Sequence, residues 1–390
     1  MNWFSQIGSI LRREIGIIRK RPLYILGSVV PMLVSTVFFL TFLGEGMPQD
    51  LRIGIVDLDQ TSTSRNFRQQ LDATQLGQAL PFESVAQARR EMETGRISAF
   101  VVIPERFNED IQANRCPKMG VYVNTMNPVI GGALAYKDIL LMINMGNAAA
   151  QRKILRLKGV NEDEIMNRIQ PLQIDTHQIG NAYTSYNYYI SNMMLPGILE
   201  MTIVILLIYS IGGELKYGSS RKRLRMAGGS MVNVLLGKSA VYTMLFGALG
   251  ISLIFVLYGW AHFPLAGSIW NMIPAVLLLV LASEGVGIFI ISCLPVPRLA
   301  LSVGALYSVL GITFAGFTLP IEAMHPAIQG LAQAFPLRHY FLIYTQEVVL
   351  GTGFAGWWQE ALHLMVFVLL PIPVLIRLKK AFIYQNYPKD

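Results

Sequence analysis

The chain has 390 residues, of which 53% are hydrophobic and only 14% are charged. Typical soluble domains carry about 25% charged residues, so the composition excludes an ordinary soluble protein and indicates a membrane protein. The net charge is +8, but residues 45–192 hold 15 Lys and Arg against 16 Asp and Glu. The basic excess lies beside apolar segments instead, so no nucleic-acid partner is expected.

An amphipathic segment opens the chain. Over residues 1–21, apolar side chains alternate with Arg12, Arg13 and Arg19 at roughly helical spacing. This pattern predicts a helix that lies in the cytoplasmic membrane interface, with its basic residues towards lipid phosphates.

Six apolar segments follow, each long enough to cross the hydrocarbon core of a bilayer as a helix. The predicted spans are residues 22–44, 191–212, 235–260, 272–294, 298–318 and 356–377. No small-residue cleavage site follows the first span, so we interpret it as a retained helix rather than a signal peptide. The sequence therefore predicts an α-helical polytopic membrane protein with six transmembrane helices.

Positive charge is distributed unevenly between the loops. Lys and Arg cluster before the first span, in the loop 213–234 and in the tail 378–390, whereas 319–356 contains only Arg338. By the positive-inside rule, both termini are cytoplasmic and residues 45–190 are extracytoplasmic. Cys116 and Cys293 then lie on opposite sides of the membrane, so they are not expected to pair.

The large insertion, residues 45–190, alternates between strand and helix patterns. Strands are predicted at 51–58, 79–83, 98–103 and 119–124. Helices are predicted at 61–71, at 84–93, after Pro104, and at 129–157 and 161–170. Such alternation is typical of a sheet with helical crossovers. The sequence predicts an α/β extracytoplasmic domain between transmembrane helices 1 and 2.

The segment before the last span, residues 319–352, is too apolar for a simple loop, yet Pro320, Pro326 and Pro336 interrupt it. We expect two short helices that enter the outer leaflet and return, because irregular backbone there must lie against protein or water. Arg338 and His339 belong to this external re-entrant segment.

The cytoplasmic loop 213–234 carries the first group of candidate functional residues. They are Glu214, Lys216, Gly218, Arg221, Arg223 and Arg225. One interpretation is that positive charge only keeps this loop inside. The other is a short helix presented to a cytoplasmic partner.

Two carboxylates fall within predicted spans, Glu200 in the second and Glu284 in the fourth. A charge at the membrane centre costs at least ~2.5 kcal/mol, which makes each residue a functional candidate. Either carboxyl group lines a substrate path, or it is protonated or hydrogen-bonded and holds helices together.

Catalytic and nucleotide-binding motifs are absent from the sequence. The Gly237-Lys238-Ser239 tripeptide lacks the glycine that a phosphate-binding loop needs five positions before Gly237. The five histidines are scattered along the sequence and show no metal-ligand spacing. No catalytic, cofactor-binding or metal site is therefore expected in this chain, and any ATP must be bound by another polypeptide.

Three short motifs carry a resemblance. The first is the strand Ile53–Asp57 followed by Ser62, Ser64 and Arg65, and the second is Glu214 with Gly218. The third runs from Thr318-Leu319-Pro320 to Phe335-Pro336-Leu337-Arg338-His339-Tyr340. Together with the spacing of the spans, they resemble ABC type-2 exporter permeases of the bacterial subgroup with a large external domain.

That resemblance implies a permease in the bacterial inner membrane, paired with a second, identical or paralogous, permease subunit. It also implies two cytoplasmic ATPase subunits that bind ATP and Mg and act through the loop 213–234, and in two-membrane bacteria a periplasmic adaptor. The apolar spans favour a hydrophobic or amphipathic substrate, such as a drug or lipid. The alternative is a membrane-anchored sensor or assembly scaffold whose external domain binds a ligand or partner.

Overall fold

A computed structural model describes residues 3–42, 44, 51–72, 77–113, 115, 117–124, 133–169, 185–317 and 320–385. Cys116, the motif residues Thr318 and Leu319, the predicted helix start at 129 and the end of the tail lie outside these ranges. The chain divides into two compact units. We call Met47–His177 the α/β unit, and Met1–Gly46 with Gln178–Asp390 the membrane unit.

The α/β unit is built around a four-stranded sheet with strand order β2-β1-β3-β4. The strands are β1 (Leu51–Asp57), β2 (Gly77–Phe82), β3 (Ala99–Ile103) and β4 (Gly120–Val123). β1 pairs in parallel with both β2 and β3, whereas β4 pairs antiparallel with β3. The helices between and after them are α3 (Ser62–Asp72), α4 (Val85–Glu93), α5 (Phe107–Gln112), α6 (Ala133–Leu157) and α7 (Glu162–Ile169).

Both faces of β1 are buried, which explains its nearly continuous apolar sequence. Successive side chains point to opposite faces of a strand. Ile53 and Ile55 accordingly join one apolar cluster with residues of α3, α5 and α6, while Val56 joins a second cluster with Ala88 of α4. Parallel strands covered on both sides typically show this pattern.

Within its described residues, the membrane unit contains six helices that are long and apolar enough to cross a membrane. They are α2 (Pro22–Phe42), α8 (Tyr186–Lys216), α10 (Met231–Ile254), α11 (Ile269–Cys293), α12 (Pro297–Phe314), and a last one that begins with α15 (Phe354–Leu369) and continues to Tyr384. A π-helical turn extends α10 to Trp260. The six agree in number with the predicted spans, and the chain is a multi-pass membrane protein.

Shorter helices complete the membrane unit. They are α1 (Trp3–Lys20), α9 (Ser220–Met226), α13 (Pro326–Ala332), α14 (Pro336–Tyr344) and α16 (Leu375–Tyr384). Two of these, α13 and α14, form the segment before the last span, and each begins with proline at its first turn, where the missing N–H costs nothing. Pro320 opens a further short 3-10 turn, Ile321–Ala323.

Several element ends differ from the sequence predictions, the ends of the second and last spans among them. The second span was predicted to end at residue 212, but α8 continues for another turn and so includes Glu214 and Lys216. The last span was predicted over residues 356–377; within the apolar segment Phe354–Tyr384, helix α15 ends at Leu369 because Pro371 and Pro373 follow. The chain then turns through Ile372–Val374 into α16, which extends into the predicted cytoplasmic tail, residues 378–390.

Candidate functional site

A group of four buried charged side chains lies where the loop between α8 and α10 meets α1. It consists of Glu14 in α1, Glu214 in the last turn of α8, Arg223 in α9 and Lys238 in α10. Arg223 is 0% exposed and Lys238 is 1% exposed. We call these residues the four-charge cluster; two carboxylates and two cations make its net charge zero.

Short ion pairs join all four members. Lys238 Nζ lies 2.7 Å from Glu14 Oε1 and 2.6 Å from Glu214 Oε1. Arg223 Nη1 donates a hydrogen bond to Glu14 Oε2 at 2.7 Å. Arg223 Nη2 lies 2.8 Å from Glu214 Oε1; this contact is an ion pair, but its geometry is not that of a hydrogen bond. Each cation thus contacts both carboxylates, so the cluster connects four helices.

Burial by itself raises the pKa of Glu14, but the facing Lys238 and Arg223 more than offset this and lower it to about 2. Ser210 adds a hydroxyl hydrogen bond to Glu14 Oε1 at 3.1 Å, and Tyr242 donates to Ser210 at 2.8 Å. Glu14 is therefore ionised at neutral pH, and the cluster functions as a buried salt-bridge network.

Helix α1 reaches this cluster because it packs closely on α10. A Cβ added at Gly237 would lie 2.9 Å from the Cβ of Ile10, so glycine permits this close approach. Trp3 Nε1 donates to Asn233 Oδ1 at 2.9 Å, and Asn233 donates to Gln6 at 2.9 Å. The amphipathic helix therefore packs against the bundle as well as having an exposed face.

The short helix α9 exposes one side and buries the other. Arg223 and Leu224 are buried, whereas Lys222 and Arg225 are exposed. Gly218 adopts a positive φ of 65° directly after α8, and this left-handed conformation, which glycine favours, turns the chain towards α9.

The six residues singled out in the loop thus fall into different environments. Lys216 and Gly218 are exposed beside the end of α8. Arg221 is exposed but donates from Nε to the carbonyl of Ile383 at 2.7 Å. Glu214 and Arg223 are buried in the four-charge cluster. These two side chains pair with each other and are not exposed to a partner in this structure, whereas their role in coupling stays a prediction.

An open cavity of about 430 Å³ lies beside α9. Its lining consists of Arg221, Leu224, Arg225, Gly228, Gly229 and Ile383. Two arginine residues thus contribute to a mostly apolar lining next to the exposed side of α9.

The two carboxylates within spans have different surroundings. Glu284 of α11 accepts hydrogen bonds from the hydroxyl of Thr243 in α10, at 2.9 and 3.1 Å. Glu200 of α8 is 1% exposed, and its oxygens have no hydrogen-bond partner within the part of the chain that the structure describes. Glu284 therefore ties two helices together, whereas Glu200 is an unsatisfied buried carboxyl group.

In the segment before the last span, Arg338 is buried and donates from Nη1 to the carbonyl of Ala315 at 3.1 Å. His339 Nδ1 lies 2.7 Å from Glu360 Oε2, and the ring of His339 stacks on that of His363 with centroids 4.7 Å apart. The description of the histidines as scattered is wrong for this pair. The spacing Glu360-x-x-His363, which puts both side chains on one helix face, is the sequence signal that was missed.

Sequence reasoning also missed Glu14 and Glu347. Glu347 is fully buried and accepts from Ser268 N at 2.8 Å, Asn271 Nδ2 at 2.9 Å and Trp357 Nε1 at 2.9 Å. Glu347 lies in the π-helical turn Thr345–Val349. Its hydrogen bonds join this turn both to the start of α11 and to the first turn of α15. No pattern in the sequence marks either residue. Apart from Trp357, which lies ten positions from Glu347, the hydrogen-bond partners of Glu14 and Glu347 are 76 or more positions away.

A six-span helical bundle, with a short basic helix joined to its spans by buried charges, defines a multi-pass membrane protein. A model of the family described as "ABC-2 family transporter protein" matches residues 22–376. The chain belongs to this ABC-2 transporter family, whose membrane subunits work with a separate ATPase subunit. No curated protein matches the chain.

Proposed function

We propose that the chain is the permease of an ATP-driven exporter in the bacterial inner membrane, and that it moves a hydrophobic or amphipathic substrate outward. Two permease subunits, identical or paralogous, would form the path. The family match over residues 22–376 carries this proposal. The apolar character of the spans supports the substrate class.

The charge distribution supports a cytoplasmic position for both termini and for α9. The α/β unit would then be extracytoplasmic, where its surface is available to a periplasmic adaptor. ATP and Mg would be bound by cytoplasmic ATPase subunits, because the sequence contains no phosphate-binding loop. Purified alone, the chain should not hydrolyse ATP.

Helix α9 is the proposed contact through which the ATPase acts. Its exposed side presents Lys222 and Arg225 next to the arginine-bordered cavity. Its buried side is joined by Arg223 to Glu14 of α1 and Glu214 of α8. A displacement of α9 is therefore transmitted to α1, α8 and α10, since separating buried ion pairs costs several kcal/mol.

Charge reversal on the exposed side tests this role. The double variant Lys222→Glu/Arg225→Glu leaves the four-charge cluster intact, and we expect it to lose the co-purifying ATPase subunit or its substrate-stimulated ATP hydrolysis. The matched control is Lys379→Glu/Lys380→Glu, which makes the same charge change on exposed positions of α16. Reversal also alters the positive-inside signal, so accessibility of α9 must be checked in the same variants.

Affinity purification from native membranes, with the bound proteins identified by mass spectrometry, separates the two function classes. Recovery of an ABC ATPase supports the exporter. Recovery of only envelope proteins, without an ATPase, favours the sensor or scaffold. Normal ATPase recruitment and export by the Lys222→Glu/Arg225→Glu variant would show that α9 is not the coupling element.

A further inference from the structure

Three side chains with metal-binding atoms converge where α14 meets α15. They are His339 of α14 and Glu360 and His363 of α15, and one ligand atom from each lies within 4.8 Å of the other two. Glu360 Oε2 is 2.7 Å from His339 Nδ1 and 3.4 Å from His363 Nδ1. The carboxylate thus lies between two imidazole nitrogens.

The hydrogen bonds of His339 decide which nitrogen is available. Its Nε2 lies 3.1 Å from the backbone carbonyl of Gln333. A carbonyl oxygen can only accept, so Nε2 carries a proton and donates it. Nδ1 then faces the Glu360 oxygen at 2.7 Å, and this short approach requires either a proton or a cation between the two atoms.

This arrangement is typical of a metal ligand. A ligating histidine almost always donates its second ring N–H to a carbonyl or carboxylate, which fixes the orientation of the ring. Here the Gln333 carbonyl provides that contact, and His339 is almost completely buried, so its Nδ1 is held in place. The Glu-x-x-His spacing of Glu360 and His363 is one that helical metal proteins use to place two ligands on one face.

We propose that His339, Glu360 and His363 bind one Zn²⁺ ion. Two imidazoles and one carboxylate form a three-ligand set that Zn²⁺ accepts, with water in the fourth position. Zinc bonds of about 2.0–2.1 Å in tetrahedral geometry place ligand atoms about 3.3 Å apart. The Glu360–His363 separation of 3.4 Å already fits this value, whereas the Glu360–His339 separation of 2.7 Å must open by about 0.6 Å. The two imidazole nitrogens lie within 4.8 Å of each other, so they must also draw together around the ion.

The site lies near the start of the last span. Glu360 lies six residues after the start of α15, about 9 Å along the helix, beside Trp357 and Trp358, residues typical of the interface region of a membrane. The side chain of His363 is 55% exposed. A bound ion would join α14 to the last span, so zinc would stabilise the re-entrant segment in this position.

The test uses the full-length chain, purified in detergent through a tag without histidine and stripped with EDTA. Equilibrium dialysis against ZnCl₂ with elemental analysis should give one Zn²⁺ per chain, and the temperature of unfolding should rise with zinc concentration. His363→Ala should weaken zinc binding at least about tenfold, and so should Glu360→Gln. The control His325→Asn changes an exposed histidine while keeping a helix-capping side chain, and it should bind zinc normally.

A second measurement does not depend on the folding of any variant. Wild-type protein loaded with Co²⁺ should show the strong visible absorption of a tetrahedral cobalt site, and Zn²⁺ should abolish it by displacement. Absence of this absorption, a stoichiometry far below one, or unchanged zinc affinity in His363→Ala would each overturn the proposal. These readouts need neither an ATPase nor a substrate, so they are independent of the exporter proposal.

Discussion

Arg223 Nη1 lies 2.7 Å from Oε2 of Glu14, although 209 positions separate the two residues in the chain. This contact joins the N-terminal helix α1 to the basic helix α9. Lys238 and Glu214 complete the network from α10 and α8. The N-terminal helix is thereby part of the structure that surrounds the proposed ATPase contact.

Removing Arg223 should strongly destabilise the protein. Arg223→Met leaves two buried carboxylates facing one cation, and breaking a buried pair in this way costs about 3–5 kcal/mol. Thermal unfolding in detergent measures the effect. Arg225→Met, an exposed change on the same helix, is the control and should stay within about 0.5 kcal/mol of wild type.

Restoring the charge balance should recover part of that loss. Glu14→Gln combined with Arg223→Met leaves Glu214 with Lys238, so the net charge of the cluster returns to zero. The double variant should be less destabilised than the sum of the two single variants, because the residues share one network. Strict additivity would contradict the coupling that the structure shows.

Acid should weaken the cluster through Glu14. The pKa of Glu14 is lowered to about 2 in the folded protein, from 4.5 ordinarily. Its contribution to stability is therefore present above pH 4.5 and is lost as the pH falls towards 2. Unfolding temperatures measured from pH 6 to pH 2 should fall more steeply for wild type than for Glu14→Gln. Parallel curves would show that Glu14 is not held ionised.

The two membrane carboxylates should respond differently to replacement by leucine. Glu200→Leu removes a buried polar group without a described hydrogen bond, so stability should be unchanged or rise by about 1–3 kcal/mol. Glu284→Leu removes the acceptor of the Thr243 hydroxyl, so stability should fall by a similar amount.

If Glu200 lines the substrate path, replacing it should impair transport even though it does not lower stability. Glu200→Leu and Glu200→Gln should then reduce substrate-stimulated ATP hydrolysis of the reconstituted complex while still recruiting the ATPase. Normal transport by both Glu200 variants would leave this residue without a role in the path.

The topology has a direct test. After both native cysteines are replaced by serine, a cysteine at Asp72 in the α/β unit should react with an impermeant maleimide in cells with a permeable outer membrane. A cysteine at Lys222 in α9 should react only after lysis. Both positions are exposed, so burial does not confound the comparison. Labelling of Lys222→Cys in intact cells would overturn the positive-inside assignment.

The sequence by itself determined the membrane class, the number of spans and most elements of the α/β unit. These features depend on properties read along the chain: a run of about 20 apolar residues matches a bilayer, and alternating patterns mark strands and helices. The proline positions likewise predicted the short helices α13 and α14. Element ends were less well determined, as the extra turn of α8 shows.

Only the tertiary structure decided which charged residues meet. Glu214 and Arg223 look exposed in a basic loop, but the packing of α1 on α10 brings Glu14 and Lys238 against them and buries all four. His339 meets Glu360 and His363 because α14 packs on α15. Ion pairing and metal coordination act over a few ångströms, so they depend on which distant segments fold together, and local sequence patterns do not specify that.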